Sequence, residues 1–208
     1  MDATNGIFYI AILVMSVVIH EISHGFVAEY FGDSTARRAG RLTLNPLPHL
    51  DLFGSVIVPL LLIVSHAGFV IGWAKPVPYN PDNLSNRKWG TVAVASAGVL
   101  ANLLVAAIFG LLIRFSVAYN IAVPEGFAFI TSAVVIVNLA LAIFNLVPIP
   151  PLDGSKILFS LLPASFYNFI AFMEQWALFF IIIFIFYFVD YLSPILLYIF
   201  KFLTGLAF

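Results

Sequence analysis

The chain has no cysteine and few charges: only 9% of its 208 residues are Asp, Glu, Lys or Arg. Without cysteine, disulfide bonds and thiolate chemistry are excluded. Soluble domains carry roughly 25% charged residues, and no basic run in this chain suggests a nucleic-acid partner. Hydrophobic residues make up 62% of the chain, and the mean hydropathy is +1.09. The composition therefore predicts a multi-pass integral membrane protein.

Apolar runs long enough to cross a bilayer recur along the chain. A helix needs about 20 apolar residues to cross a hydrocarbon core of about 30 Å. Hydropathy places such runs near residues 7–31, 52–70, 91–118, 127–147 and 166–189, with a shorter one at 191–208. We predict an all-α polytopic fold with about five to six transmembrane helices.

The first apolar run contains the pattern H-E-x-x-H, formed by His20, Glu21 and His24. Residues four apart lie on one face of a helix, so both imidazoles can bind the same metal ion. Glu21 occupies the position at which zinc peptidases keep the carboxylate that activates water. Ionisable side chains are costly inside a bilayer, so their presence there indicates a function. The pattern predicts a catalytic site with one Zn²⁺ per chain.

Two imidazoles leave such a site incomplete, because catalytic zinc uses three protein ligands and a water molecule. Asp153 is the strongest candidate for the third ligand. It follows a proline-rich stretch that ends the fourth apolar run, and Gly154 after it permits a close backbone approach. The alternative is that Asp153 caps a helix beginning at Ser155. The histidine pattern elsewhere in the chain favours the ligand.

The distribution of basic residues predicts how the chain crosses the membrane. Short loops rich in Lys and Arg stay in the cytoplasm. Two such clusters flank residues 52–70: Arg37, Arg38 and Arg41 before them, and Lys75, Arg87 and Lys88 after them. Both clusters lie on one side if 52–70 enters the membrane and returns. The alternative, a plain transmembrane helix at 52–70, would place the clusters on opposite sides.

The predicted zinc site leads to the same topology. Asp153 meets His20 only if the first and fourth apolar runs point in the same direction, with 91–118 as the single return crossing. We therefore predict a re-entrant, partly β-like segment between the first span and the span that carries Gly98 and Asn102. The N-terminus would lie outside, and the active site would face the cytoplasmic side of a prokaryotic cell membrane.

These motifs resemble the site-2 protease family of intramembrane zinc metalloproteases, peptidase family M50, in its compact subgroup without a PDZ or CBS domain. The run from Asn145 to Gly154 fits the family pattern N-x-x-P-x-P-x-L-D-G. The run from Gly98 to Asn102 is similar to the family's G-P-x-x-N, although Val99 replaces the proline. The resemblance covers roughly residues 7–160. It implies one domain over 1–208, with that stretch as catalytic core and residues 165–208 as accessory helices.

The resemblance implies regulated cleavage in or near the transmembrane segment of another membrane protein. The partners would be that substrate and the lipid bilayer, with no nucleic acid; the sequence predicts no oligomeric state. Asn102 and Asn145 become candidates for orienting a ligand or stabilising an oxyanion. Their alternative role is hydrogen bonding between helices.

A segment that includes Phe69, Gly72 and Trp73 is a candidate edge for binding the substrate. It is rich in β-forming residues, glycine and proline, and a substrate could add to it as an extended strand. The alternative is a simple connecting loop. The composition of this segment therefore predicts a contact with the substrate.

Two other functions remain open. A membrane zinc peptidase of another family would use a Glu or a His as third ligand, and an essential Glu125 or Glu174 would favour it. A non-catalytic metal-binding protein or transporter would need ligands along several spans. The predicted convergence of three ligands, with Glu21 left over as a base, favours hydrolysis over both.

Overall fold

The computed structural model describes residues 3–58, 61 and 73–206. Within these ranges the protein is all-helical and has no strand. The α-helices in chain order are α1 (Ala3–Tyr30), α2 (Thr35–Arg38), α3 (Arg87–Ala118), α4 (Glu125–Asn145), α5 (Asp153–Leu161), α6 (Tyr167–Gln175), α7 (Ala177–Tyr187) and α8 (Ser193–Thr204). Short 3₁₀ turns lie at Leu47–His49, Pro81–Asn83, Ala164–Phe166 and Val189–Leu192, and a π-helical turn lies at Leu52–Ile57.

Three of these helices are long and apolar enough to cross a membrane: Gly6–Tyr30, Arg87–Ala118 and Glu125–Asn145. A fourth span results if the pair Ala164–Gln175 and Ala177–Tyr187, bent by 69°, is counted as one. The described residues thus show an integral membrane protein with three to four candidate spans.

The prediction of five to six spans is not confirmed. The 12 residues of α8 reach only about 18 Å at 1.5 Å per residue, less than the hydrocarbon core. Residues 59–60 and 62–72 lie outside the described residues, and they include most of the predicted re-entrant segment.

Helices α1 and α3 run antiparallel. His20 on α1 contacts Asn102 on α3, while His24, one turn further along α1, contacts the carbonyl of Val94, two turns earlier on α3. Small residues on α3 let the helices approach closely, as is common in membrane proteins. The buried ones are Gly90, Ala95, Ala97, Gly98, Ala106 and Gly110.

Helix α4 runs parallel to α1, after the short connection 119–124 reverses the chain. Tyr9 packs edge-to-face on Phe129 at 5.5 Å between ring centroids, and Ser16 accepts a hydrogen bond from Asn138. The residue numbers of these contacts increase in the same direction along both helices, as expected for a parallel pair. The C-terminal ends of α1 and α4 therefore lie on the same side of the bundle. This arrangement brings the chain that follows α4 back to the histidines of α1.

Helix α8 closes the bundle on the other side. A buried apolar cluster joins α3, α4 and α8 through Ala106, Leu139 and Phe200, among others. Arg114 near the end of α3 donates a hydrogen bond to the carbonyl of Phe202. This bond satisfies one of the last carbonyls of α8, which have no partner within the helix.

Candidate metal centre

His20, His24 and Asp153 come together beside the C-terminal half of α1. Oδ2 of Asp153 lies 3.0 Å from Nε2 of His20 and 3.1 Å from Nε2 of His24. All three residues are buried, with at most 8% of their surface exposed. Among the described residues, they are the one group of three or more His, Cys, Asp or Glu side chains placed to hold a metal ion.

Both imidazoles are oriented by oxygen atoms on α3. Nδ1 of His24 lies 2.6 Å from the carbonyl oxygen of Val94, and Nδ1 of His20 lies 2.6 Å from Oδ1 of Asn102. Because these oxygens accept hydrogen bonds, Nδ1 of each ring carries a proton, and in the neutral form of each ring the lone pair is on Nε2. Both lone pairs then face the carboxylate of Asp153.

This donor set fits Zn²⁺. Two imidazole nitrogens and one carboxylate oxygen, with a position left open, form a common catalytic zinc site. Ligand atoms of a tetrahedral site with bonds of about 2.0–2.1 Å lie about 3.3 Å apart, close to the separations from Asp153 to the two imidazoles. Three electron-rich atoms in a buried space also repel one another unless a cation or protons lie between them.

Lys156 holds the second oxygen of Asp153. Its Nζ lies 3.0 Å from Oδ1 of Asp153, one turn further along α5. Burial alone would favour the neutral amine, but the charge of Asp153 raises the pKa of Lys156 above its ordinary value. Lys156 is therefore a cation at neutral pH, and Oδ2 remains the oxygen that faces the histidines.

Two glycines make the close approach of these elements possible. A Cβ atom on Gly98 would lie 2.6 Å from Nε2 of His20. The missing side chain on α3 therefore leaves room for the imidazole that extends from α1. A Cβ atom on Gly154 would collide with the carbonyl oxygen of Leu146. The glycine of the Leu-Asp-Gly pattern thus lets the first turn of α5 pack against the end of α4.

The alternative role of Asp153 as a helix cap does not describe this structure. Leu152 occupies the N-cap position of α5 without a side-chain hydrogen bond. The two oxygens of Asp153 face Lys156 and the imidazoles instead. Glu125 and Glu174, the alternative third ligands, are exposed and lie outside the cluster.

Glu21 lies next to His20 on α1 and is half-buried. Its Oε2 accepts a hydrogen bond of 2.8 Å from the backbone N–H of Val77. Val77 belongs to an extended stretch that is tied down on either side: Lys75 N–H donates to the carbonyl of His49, and Asn80 N–H donates to Asp33. The carboxylate is therefore positioned beside the ligand cluster by a segment distant in sequence.

The other predicted site residues differ in their placement. Asn102 touches His20, whereas Asn145 donates to the carbonyl of Leu141 in its own helix at 2.9 Å. Phe69 and Gly72 lie outside the described residues. Trp73 N–H donates to the carbonyl of Gly54 at 3.1 Å, and no strand is present in the described part of this segment. The substrate edge therefore remains a prediction.

Sequence reasoning missed two residues that lie close behind His20. Asn138 on α4 and Ser16 on α1 are buried and bonded to each other and to Asn102. One signal was present: Asn138 is a polar residue inside an apolar run, seven positions before Asn145 and hence on the same helical face.

Comparison with known proteins gives a consistent result. Residues 113–189 match the sequence model of Peptidase family M50. The chain is 37% identical over 179 residues to "Putative zinc metalloprotease YwhC" of Bacillus subtilis, covering 80% of this chain and 78% of that protein. It is 32% identical over 152 residues to "Putative zinc metalloprotease Rip2" of Mycolicibacterium smegmatis, covering 72% of this chain and 56% of that protein. No solved structure matches the chain.

Proposed function

The chain belongs to peptidase family M50, the site-2 protease family, and we propose that it is an intramembrane zinc metalloprotease. Its substrates would be other membrane proteins, cut in or near a transmembrane segment. The observation that carries the proposal is the meeting of His20, His24 and Asp153, which are separated by up to 133 residues in sequence. A transporter would need such ligands along a path, whereas here they converge on one point with Glu21 beside it.

His20, His24 and Asp153 would hold the zinc ion. Zinc bound there supplies a Lewis acid for the scissile carbonyl and lowers the pKa of a water molecule in the site toward about 7. Lys156 keeps Oδ1 of Asp153 occupied, so that a single carboxylate oxygen is offered to the metal. Val94 and Asn102 keep the imidazole rings turned so that both Nε2 atoms point inward.

Glu21 would act as the general base. The bond from Val77 N–H fixes Oε2, which leaves Oε1 to accept a proton from the attacking water. The same carboxyl group then returns the proton to the leaving amine. Asn145 would stabilise the oxyanion, because one of its two amide protons remains after the bond to Leu141.

The substrate must lose its helical structure before it is cut, since a helix buries its carbonyl groups in internal hydrogen bonds. We propose that the segment containing Phe69, Gly72 and Trp73 binds the extended substrate backbone. Trp73 is 52% exposed, so its indole is accessible at the end of this segment.

The proposed topology places residues 31–86 on one side of the membrane apart from a re-entrant segment within 52–70. This is supported by the hydrogen bond from Ser85 N–H to the carbonyl of Phe31 at 2.7 Å, which joins the end of α1 to the start of α3. A chain that leaves and returns at the same end crosses an even number of times. The basic residues at this end support a cytoplasmic orientation in a prokaryotic cell membrane.

The chain would work as one domain over residues 1–208. Residues 7–160 contain every residue of the proposed chemistry, and 165–208 would act as accessory helices. The cluster that joins α8 to α3 and α4 supports this assignment, because it packs the accessory part against the core. The other partner would be the lipid bilayer.

The test combines metal analysis with cleavage of a panel of tagged single-span membrane peptides by the purified protein in detergent. Wild type is expected to hold about one zinc per chain, as a mononuclear site requires. Glu21→Gln should keep the zinc and lose cleavage by about 10²-fold or more. Asp153→Asn should lose both.

Glu174→Gln is the matched control, since this carboxylate is exposed and does not belong to the cluster. It should match wild type in zinc content and cleavage. Wild-type protein without zinc, or a fully active Glu21→Gln variant, would refute the proposal.

A further inference from the structure

We propose that Asn138 and Ser16 are positioning residues of the zinc site, which act through Asn102 to present Nε2 of His20 to the metal. The inference rests on the proposed zinc-dependent function and extends it to residues that do not touch a ligand. Its basis is a continuous chain of buried hydrogen bonds that leads from a backbone carbonyl of α4 to the imidazole of His20.

The chain of contacts crosses three helices. Nδ2 of Asn138 donates to the carbonyl of Val134 and to Oγ of Ser16, both at 2.9 Å. Oδ1 of Asn138 accepts from Nδ2 of Asn102 at 2.7 Å, and Nδ2 of Asn102 also lies 3.3 Å from the carbonyl of Ser16. Oδ1 of Asn102 then lies 2.6 Å from Nδ1 of His20.

The direction of each bond follows from the first one. A backbone carbonyl can only accept, so the NH₂ group of Asn138 must face Val134. Oδ1 of Asn138 is then an acceptor that faces Asn102, and it draws the NH₂ group of Asn102 toward itself. Oδ1 of Asn102 is left facing His20, which fixes the proton on Nδ1 and the lone pair on Nε2.

A flipped Asn102 amide would undo this arrangement. It would place oxygen against oxygen at the carbonyl of Ser16, and it would turn an NH₂ group toward Nδ1 of His20. The imidazole would then favour the proton on Nε2, the atom that has to bind the metal. Asn138 and Ser16 make the flipped orientation unfavourable.

The second histidine provides an internal comparison. Nδ1 of His24 faces the backbone carbonyl of Val94, which cannot flip. His24 therefore needs no further residue to fix its proton, whereas His20 depends on a side-chain amide whose orientation must be set by its neighbours. We call the hydrogen bonds that lead from Asn138 and Ser16 through Asn102 to His20 the relay. The relay should affect the orientation of His20 and not that of His24.

The burial of the relay residues favours one orientation of the two amides. Asn102 and Asn138 are 0% exposed and Ser16 is 4% exposed. No water is expected to replace a lost partner among such closely packed apolar helices. Buried amides are tolerated where their hydrogen bonds are satisfied, and this network satisfies both amides in one orientation.

The first test measures zinc affinity by chelator competition with the purified protein in detergent. Asn138→Leu should weaken zinc binding by about 10- to 100-fold, the usual effect of removing a residue that orients a metal ligand. Ser16→Ala should weaken it by less, because Asn138 keeps its bond to Val134. Thr131→Val is the matched control: Thr131 is also buried on α4, but its hydroxyl donates to the carbonyls of Phe127 and Ala128 in its own helix.

A double-mutant cycle separates positioning from a general loss of packing. If Asn138 acts through Asn102, Asn138→Leu should cost no further zinc affinity in an Asn102→Leu background. Additive losses in the two variants would overturn the proposal. A folded Asn138→Leu protein that binds zinc within about twofold of wild type would overturn it as well.

Nitrogen-15 NMR of the histidines in the zinc-loaded protein gives a second readout. Asn138→Leu should move the Nδ1–H signal of His20 and speed its exchange with water, while the signal of His24 stays in place. If Asn138→Leu does not fold, Ser16→Ala decides, and an unchanged affinity and His20 signal in that variant would overturn the relay. Failure of wild type to bind zinc would instead refute the proposed function.

Discussion

The backbone amide of Val77 donates a hydrogen bond to Oε2 of Glu21, with 2.8 Å between the two atoms. Pro76 and Pro78 lie on either side of Val77, and proline has no N–H. Val77 is therefore the single backbone donor in this stretch of three residues. The position of the proposed general base depends on one amide that is 56 residues away in the chain.

Val77→Pro is expected to slow cleavage by about tenfold, a part of the 10²–10⁴-fold that a positioned base contributes. Glu21 would lose its fixed donor and adopt other orientations, while the zinc ligands would remain in place. The measurement is kcat together with zinc content, which should stay at the wild-type level.

Val77→Ala is the control for that substitution, because it keeps the N–H and shortens the side chain. The side chain of Val77 is buried, with 5% exposed, so some loss of packing is expected in both variants. Equal losses of kcat in Val77→Ala and Val77→Pro would assign the effect to packing and contradict the role of the amide.

Gly98→Ala should lower zinc affinity by at least about tenfold, because the added methyl group would occupy the space of the His20 imidazole. Alanine is favoured over glycine in a helix by about 1 kcal/mol, so propensity alone predicts a more stable α3. The two effects oppose each other, and chelator competition together with thermal unfolding separates them.

Gly126→Ala tests the propensity term by itself. Gly126 lies in the first turn of α4, and a Cβ atom there would meet nothing within 4 Å. The substitution should leave zinc affinity unchanged. A loss of affinity in Gly126→Ala as large as that in Gly98→Ala would rule out the steric explanation.

The proposed ligand set was accessible to sequence reasoning because its signals are local. His20 and His24 share one face of a helix because they are four residues apart. The prolines before Asp153 indicate the end of the preceding helix, because proline has no backbone N–H to donate. The common direction of α1 and α4 followed from the requirement that the ligands meet at one depth, and the contacts of Tyr9 and Ser16 with α4 show it.

The relay behind His20 was not accessible, because it depends on how three helices are rotated about their own axes. Most residues of these helices are apolar, so hydropathy does not show which face is turned inward. Hydropathy also does not show where an apolar run bends. The run 166–189 therefore appears as one span in the sequence. The structure divides it between α6 and α7, with a bend at Trp176 where neither proline nor glycine marks a break.

Asp33 should stabilise the folded protein at neutral pH, and this stabilisation should be lost at acid pH. Its buried carboxylate accepts bonds from Asn80 N–H at 2.6 Å and from Asn83 Nδ2 at 2.9 Å. Burial alone would raise the pKa of Asp33, but the hydrogen bonds from Asn83, Thr35 and Asn80 lower it below its ordinary value. Because the folded-state pKa is the lower one, this stabilisation is fully present above about pH 4 and is lost as the pH falls through the folded-state pKa.

Asp33→Asn is therefore expected to destabilise the protein at pH 7 by about 1–3 kcal/mol, the cost of leaving buried donors without an acceptor. The difference from wild type should shrink as the pH falls below about 4. Thermal unfolding in detergent at both pH values measures it. Asp82→Asn is the control, since this carboxylate is exposed and pairs with the exposed Arg87, and it should change stability little at either pH.

Asn145 and Asn138 lie seven residues apart on α4, yet the structure predicts opposite kinetic signatures for them. Within the described part of the chain, Asn145 bonds the carbonyl of Leu141 and no proposed ligand of the metal, so Asn145→Ala should leave zinc affinity unchanged. If its remaining amide proton stabilises the oxyanion, kcat should fall by about 10²–10³-fold with little change in KM. Asn138→Leu should instead lower zinc affinity, and its kcat should recover at saturating zinc. Chelator competition and cleavage kinetics on both variants decide, and a loss of zinc by Asn145→Ala would show that this residue supports the metal rather than the transition state.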